Sequence, residues 1–374
     1  MKIGLLTLPF NNNYGGYLQC FALMAVLKNM GHSPEVIYRR QNRRKISWRA
    51  KQFLKRIFKK GIGSSVPCLI PDQEKELRYR GAKMMEFVDK YISPKTAPLY
   101  STKDFYECID NHRYDAVIVG SDQVWRPDYG PKIQDYFLYD LHSEETILIS
   151  YAASFGVDNP NYGYDEMKEC GVALSRFKAV SLREKSGVEV INRFGWKLNC
   201  CPSVVLDPTL LLNKESYLET LPHKDSPAKG KVFCYLLDPS ESAEQAIKYY
   251  CNNKGIESYN IINTDIWRRQ DYVMPSIEEW LSGINEAEFV ITDSFHGAVF
   301  SILFNKDFWV FGNVKRGKTR FLTLLSNFGL EERFIDMSSP CSLPENPIEW
   351  TSVNKRLHDM RTESMAYLER ALKQ

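Results

Sequence analysis

The chain has no CxxC pair, no Gly/Ser linker, no low-complexity tract and no internal repeat. Each absence removes a class of protein. Nine cysteines, an odd number, without paired spacing do not make a zinc or disulfide framework and read as reduced cytosolic thiols. The neighbours Cys200 and Cys201 cannot easily bridge each other. Without a repeat there is no solenoid or propeller. No apolar run approaches the ~20 residues of a membrane-spanning helix. The opening MKIGLLTL reads as a first strand, too short for a signal peptide and with no small-residue cleavage site behind it. Nor is there a full G-x-G-x-x-G, so no dinucleotide site is read. No nucleic-acid motif is present, and the expected location is cytoplasmic.

What the chain does have is length and apolar content. With 374 residues, 44% hydrophobic and 13% aromatic, it can bury two ordinary cores. Net charge is only +3, but it is unevenly placed. Residues 39–60 (RRQNRRKISWRAKQFLKRIFKK) carry eleven Lys/Arg and no Asp/Glu, so the rest of the chain stands at −8. Ile46, Ala50, Phe53, Leu54, Ile57 and Phe58 recur there at three- and four-residue steps. A basic helix with one apolar stripe suits peripheral contact with an anionic membrane, although such a stripe also packs on its own domain.

The hydrophobic periodicity alternates between strand and helix, which predicts an α/β protein. Strands are expected at 2–8, 34–38, 116–119, 146–150 and 179–182, then at 232–237, 256–262, 289–292 and 308–311. Helices are expected at 17–29, 72–91, 165–177, 241–252, 276–283, 320–328 and 353–372, with 9–16 as a polar loop. The simplest organisation is a first unit over residues 1–204, a second over 205–352, and a terminal helix over 353–374, with a ligand cleft between the units.

Five predicted strand ends carry polar residues: 11–16, 120–122, 151–154, 183–185 and 293–297. Ligands of open α/β sheets bind at the carboxyl ends of strands, so five such ends suggest a composite site. The segment FVITDSFHGAVFSILF at 289–304 is the clearest case: an apolar strand, a polar corner, then an apolar helix. A helix start favours an anion, and the imidazole of His296 at that corner can hand over a proton. The plainer reading is that Ser294 caps the helix and His296 bonds nearby backbone. The other histidines, 32, 112, 142, 223 and 358, lie in stretches that read as loop or exposed helix.

Six blocks taken in order resemble the polysaccharide pyruvyl transferases: NYGGYLQCFAL at 13–23, VGSDQVW at 119–125, SYAASFG at 150–156, SLREKSG at 181–187, VLDPTL at 205–210 and TDSFHG at 292–297. The resemblance implies two Rossmann-like domains facing a cleft, GT-B-like, with the last helix crossing back to the first domain. It also implies transfer of pyruvate from phosphoenolpyruvate to a sugar of a surface or capsular glycan, or to its lipid-linked precursor, with release of phosphate. That donor is a co-substrate, and no cofactor or metal is required in principle.

On this resemblance His296 is the general acid that protonates the enol methylene, and Arg183 clamps phosphoenolpyruvate unless it merely pairs with Glu184. Arginine suits both anions of the donor because its planar fork binds each bidentately. Arg320 is the next anion-binding candidate, followed by Lys318, Lys315 and Arg316 in the cationic stretch 312–320. Ser294 and the amide of Gly297 are candidates to hold phosphate. Asp293 would orient His296 or cap the helix. Gly15 and Gly16 would present backbone amides, while Asp122 and Gln123 would meet acceptor hydroxyls. Trp125 would stack on a sugar or lie in the core. Two other readings stay open on residues alone: a GT-B glycosyltransferase using a nucleotide sugar, and a glycan- or lipid-binding protein without chemistry.

Overall fold

A computed structural model describes residues 1–43, 73–143, 145–220, 225–262, 271–312, 318–336 and 343–373. Its strands are short, buried apolar runs. β1 (Lys2–Leu6), β2 (Ser33–Val36), β3 (Ala116–Val119) and β4 (Ile147–Ser150) form a parallel sheet in the order β2-β1-β3-β4. β5 (Ser181–Leu182) and β6 (Ser203–Val204) pair in parallel beside it, joined through bridges between Ile149 and Ala179 and between Ala153 and Leu182. A second sheet holds β7 (Val232–Tyr235), β8 (Ser258–Asn260), β9 (Phe289–Thr292), β10 (Phe308–Gly312) and β11 (Phe334–Asp336). Its order is β11-β10-β9-β7-β8, again all parallel. Every residue of β3, β7, β9 and β10 is buried. That is the pattern of strands covered by helices on both faces.

The helices are α1 (Tyr14–Asn29), α2 (Gln73–Arg80), α3 (Ala82–Tyr91), α4 (Thr102–His112), α5 (Tyr164–Leu174) and α6 (Lys185–Arg193), then α7 (Lys214–Leu218), α8 (Glu241–Lys254), α9 (Ile277–Glu286), α10 (Phe295–Leu303), α11 (Lys318–Phe328) and α12 (Trp350–Leu372). α12 crosses back to the first sheet. There Tyr367 donates its hydroxyl to the Ser150 carbonyl (3.0 Å) and Ser364 Oγ accepts from the Leu206 amide (3.0 Å). Among the described residues no helix is long and apolar enough to cross a membrane.

The two sheets are packed tightly together through α1. Tyr14 stacks on Trp280 of α9 (centroids 5.3 Å, 11° between planes), meets Tyr235 edge-on, and donates to the Pro275 carbonyl (2.9 Å). Phe21 of α1 contacts Tyr217, which meets Phe300 of α10 edge-on at 5.0 Å. One apolar core therefore runs from Ile3 in the first sheet to Phe233 in the second. The two units thus face each other, as the sequence suggested, and are joined along a packed seam.

Other differences from the sequence expectation have local causes. α1 starts at Tyr14, not residue 17, so Gly15 and Gly16 belong to its first turn. The helix expected over 72–91 is broken at Gly81, where a Cβ would lie 1.9 Å from Asn12 Oδ1. α4, α6, α7, β6 and β11 were not anticipated. α4 did carry a signal: Ser101, its cap, accepts from the Asp104 amide. Trp125 is fully buried and stacks on Phe137 (5.0 Å), which leaves no face for a sugar. The basic stretch 39–60 divides. Arg39 is fully buried against Asp135 (2.9 Å), and Arg40 donates to the Tyr38 hydroxyl (2.6 Å), so neither meets a membrane. Its remainder from 44, like Lys315 and Arg316, lies outside the described residues.

Candidate active site

Each strand that ends at the seam delivers polar side chains there, because the last apolar residue of the strand is followed at once by a turn or a helix start. β3 leads to Ser121 and Asp122, β4 to Ser154, β5 to Arg183 and Glu184, β6 to Asp207, and β9 to Asp293–His296. Asp122 has φ +69°, a left-handed conformation uncommon for a side-chain-bearing residue outside turns and functional sites.

Arg183 is at the centre. Its guanidinium is 2% exposed and meets Asp207 (2.8 Å), Asp122 (3.3 Å) and, more distantly, Glu184 (3.9 Å). Burial opposes its charge, but Asp207, Asp122 and Glu184 together hold its pKa above the ordinary arginine value. Glu184 accepts from Ser154 Oγ (2.7 Å) and the Phe155 amide (3.2 Å) through one oxygen. Its other oxygen has no hydrogen-bond partner among the described residues. Burial pushes the Glu184 carboxyl up, and Arg183 and Ser154 offset this only in part.

Arg320, from the first turn of α11, comes to the same place. Its guanidinium carbon stands 5.6 Å from the Phe295 ring, and that of Arg183 stands 4.3 Å from it. Unlike Arg183, Arg320 has no carboxylate within ion-pair distance: Asp122 and Glu184 attract it from farther off, it makes no hydrogen bond among the described residues, and its Nε is buried and unpaired. Burial and the charge of Arg183 push its pKa down from 12.5 to about 10.

His296 sits in the first turn of α10, 5% exposed, with Nε2 at 3.5 Å from Asp207 Oδ2. On the other side, α1 presses its Gly15 against the ring. A Cβ there would fall 1.9 Å from His296 Nδ1, so only glycine fits. Gly16, next to it, has room. Asn13, the cap residue of α1, makes no side-chain bond to the helix amides, so they stand uncapped beside the imidazole.

Of the residues singled out from sequence, the structure gathers His296, Arg183, Arg320, Asp122 and Gly15 in one buried cluster. Ser294 is the cap of α10, its Oγ accepting from the Gly297 amide (3.4 Å), so that amide is taken. Gly297 is there for space, since a Cβ would lie 2.3 Å from Thr292 Oγ1. Asp293 does not orient His296: its two oxygens accept from the amides of Leu237 and Asp238 (both 2.7 Å). Gln123 accepts from Arg126 (3.1 Å). Lys318 is pulled away to Asp336 (2.5 Å) and is nearly half exposed. The residue missed is Asp207, which joins Arg183 to His296. A hollow of about 720 Å³ lined by Lys2, His32, Glu35 and His112 lies at the opposite, amino-terminal ends of β1 and β2.

A buried histidine, two arginines over one phenyl ring, and the carboxylates Asp122, Glu184 and Asp207 from three strand ends therefore stand together. The family model for polysaccharide pyruvyl transferase matches residues 13–315. The chain belongs to that family. No curated protein matches it. Among solved structures it is similar to a putative UDP-N-acetylglucosamine 2-epimerase from Listeria monocytogenes, with 11% identity, 97% of this chain and 96% of that one covered, and a TM-score of 0.50. Another UDP-N-acetylglucosamine 2-epimerase gives 11% identity, 99% and 90% coverage, and a TM-score of 0.50. At such identity the likeness is one of fold: two facing Rossmann-like domains in the GT-B arrangement.

Proposed function

We propose that this pyruvyl transferase takes pyruvate from phosphoenolpyruvate and forms a ketal on a sugar of a surface or capsular polysaccharide, or of its lipid-linked precursor. The observation that carries the reading is Arg320. A buried guanidinium with no ion pair is costly, and Asp122 and Glu184 offset that cost only in part, so its retention beside Arg183 and His296 supports an anionic ligand. Phosphoenolpyruvate brings a carboxylate and a phosphate on one small frame, matching two planar cations 4.3 and 5.6 Å from one ring.

In this reading His296 gives a proton to the methylene carbon, and the enol carbon becomes an oxocarbenium-like centre. A sugar hydroxyl attacks that carbon and gives its proton to a base, the role this reading assigns to Asp122, from which the imidazole is restored. The C–O bond to phosphate breaks, a second hydroxyl closes the ring, and its proton leaves with phosphate. The arginines stabilise the departing charge in a site almost free of bulk water.

The test is thermal melting with phosphoenolpyruvate, UDP, CMP and phosphate in parallel. A shift specific to phosphoenolpyruvate supports the reading. A shift with UDP alone would move it to nucleotide-sugar glycosyl transfer. We also place the enzyme at the inner face of the cytoplasmic membrane, on the strength of the basic stretch beyond residue 43. Replacing its lysines and arginines by glutamine should abolish sedimentation with anionic vesicles, and unchanged sedimentation would discard that placement.

A further inference from the structure

Asp207 is the one carboxylate in the cluster that touches both halves of the chemistry. It lies just past β6, where the chain passes from the first sheet to the second, and its side chain is 1% exposed. Oδ1 accepts from the amide and the hydroxyl of Thr209 (3.0 and 2.7 Å), which fixes the plane of the carboxylate. Oδ2 meets Arg183 Nη1 (2.8 Å), Ser121 Oγ (3.3 Å) and His296 Nε2 (3.5 Å). Nε2 has no hydrogen-bond partner among the described residues. Gly15 of α1 packs over the ring on the side of the opposite nitrogen, Nδ1, where a Cβ would fall 1.9 Å from Nδ1 and 2.1 Å from Cγ.

We propose that Asp207 is a positioning residue, acting through His296: from 3.5 Å its charge keeps one proton on Nε2, so that the second proton of the imidazolium sits on Nδ1 and is the one given to the methylene carbon, leaving the neutral Nε2–H ring. The inference rests on the ketal-forming reading for the identity of the proton acceptor, but the orientation itself is a property of the free protein. A carboxylate beside one ring nitrogen selects the tautomer with the proton on that nitrogen. Burial opposes the negative charge of Asp207, yet His296 and Arg183 outweigh burial and keep its carboxyl far below the usual range, so the partner stays ionised at any working pH. Arg183 keeps a second anchor in Asp122. Removing the charge of Asp207 should therefore leave the donor clamp in place while releasing the imidazole.

The experiment uses full-length protein labelled with ¹⁵N-histidine. The His296 resonances are assigned with His296→Gln, and ring tautomers are read at alkaline pH in the wild type and in Asp207→Asn. Phosphoenolpyruvate binding to both is measured by calorimetry. Expected is an Nε2–H tautomer for His296 in the wild type, mixed tautomers in Asp207→Asn, and donor affinity within about threefold. With any p-nitrophenyl glycoside that serves as acceptor, kcat should fall by about 10²–10⁴, the range of a lost general acid, with KM for donor little changed. A bare Nε2 in the wild type overturns the inference even if the variant does not fold. So does an unchanged tautomer in Asp207→Asn, or loss of donor binding in step with a lowered melting point, which marks a merely structural role. A wild type that shows the Nε2–H tautomer but binds no phosphoenolpyruvate sinks the donor reading and leaves the orientation standing.

Discussion

Arg320→Met should make the unliganded protein more stable while ending its response to phosphoenolpyruvate. The drop of the Arg320 pKa from 12.5 to about 10 corresponds to about 3 kcal/mol against the charged form in the folded state. The sign is that of a cation depressed by burial: the cost is present at every pH below about 10 and fades only above it. Methionine keeps the stem in contact with Phe295 and Phe321 but forfeits the cation–π contacts, worth about 1 kcal/mol. About 2 kcal/mol of stabilisation remains. At about 2.1 cal/mol/K per residue, 374 residues unfolding together have an entropy near 0.8 kcal/mol/K, so the melting point should rise by about 2–3 °C. Phosphoenolpyruvate at a hundred times its dissociation constant should add about 2.7 kcal/mol to the wild type, about 3 °C, and nothing to the variant. The order of the two melting curves should thus become equal or reverse on adding donor. A variant that melts below the wild type without ligand would show that Arg320 is a structural cation, and the argument for an anion site would fall with it.

Two further perturbations probe the same cluster. Gly15→Ala places a methyl 1.9 Å from His296 Nδ1 and should cut turnover by at least about 100-fold. Gly16→Ala, whose Cβ would sit an ordinary 3.7 Å from Asn13, should leave turnover intact and stabilise by about 0.5–1 kcal/mol; equal activity in both variants would refute the close packing of α1 on the imidazole. Burial raises the Glu184 carboxyl above its ordinary value of 4.5, so the folded state should lose stability as pH rises from there through the raised value. Glu184→Gln should flatten that fall in urea titrations between acid and neutral pH, and a fall that persists unchanged would assign it to another group.

The fold was legible because its determinants are local. AVIV, ILIS and FVIT are continuous apolar runs, as strands buried on both faces must be, and each is followed at once by polar residues. β8 was expected to be longer because its ends are apolar, but as the edge of the sheet only Ser258–Asn260 pairs with β7. In the site, His296, Arg183 and Arg320 were legible as charges that follow strands or open a helix. Lys318 carries the same charge two residues before Arg320, and nothing local says that Asp336 on β11 will draw it out toward solvent. Asp293 stands three residues before His296, yet its oxygens serve the chain after β7.

Asp207 marks where sequence reasoning stops. In VLDPTL an aspartate before proline and threonine is fully accounted for as a local cap, and Oδ1 does bond the Thr209 amide and hydroxyl. The local explanation uses up one oxygen. A carboxylate has two, and a motif that satisfies only one of them inside a core leaves a charge that must be answered from elsewhere in the chain. Here the answer comes from β5 and from the start of α10, elements 24 residues and, by the numbering, 89 residues further along or back. The capped oxygen holds the carboxylate still, and the other meets Arg183 and His296 from opposite sides of the seam. The local cap is therefore what makes the long-range contact rigid, and the two functions of the residue are one device.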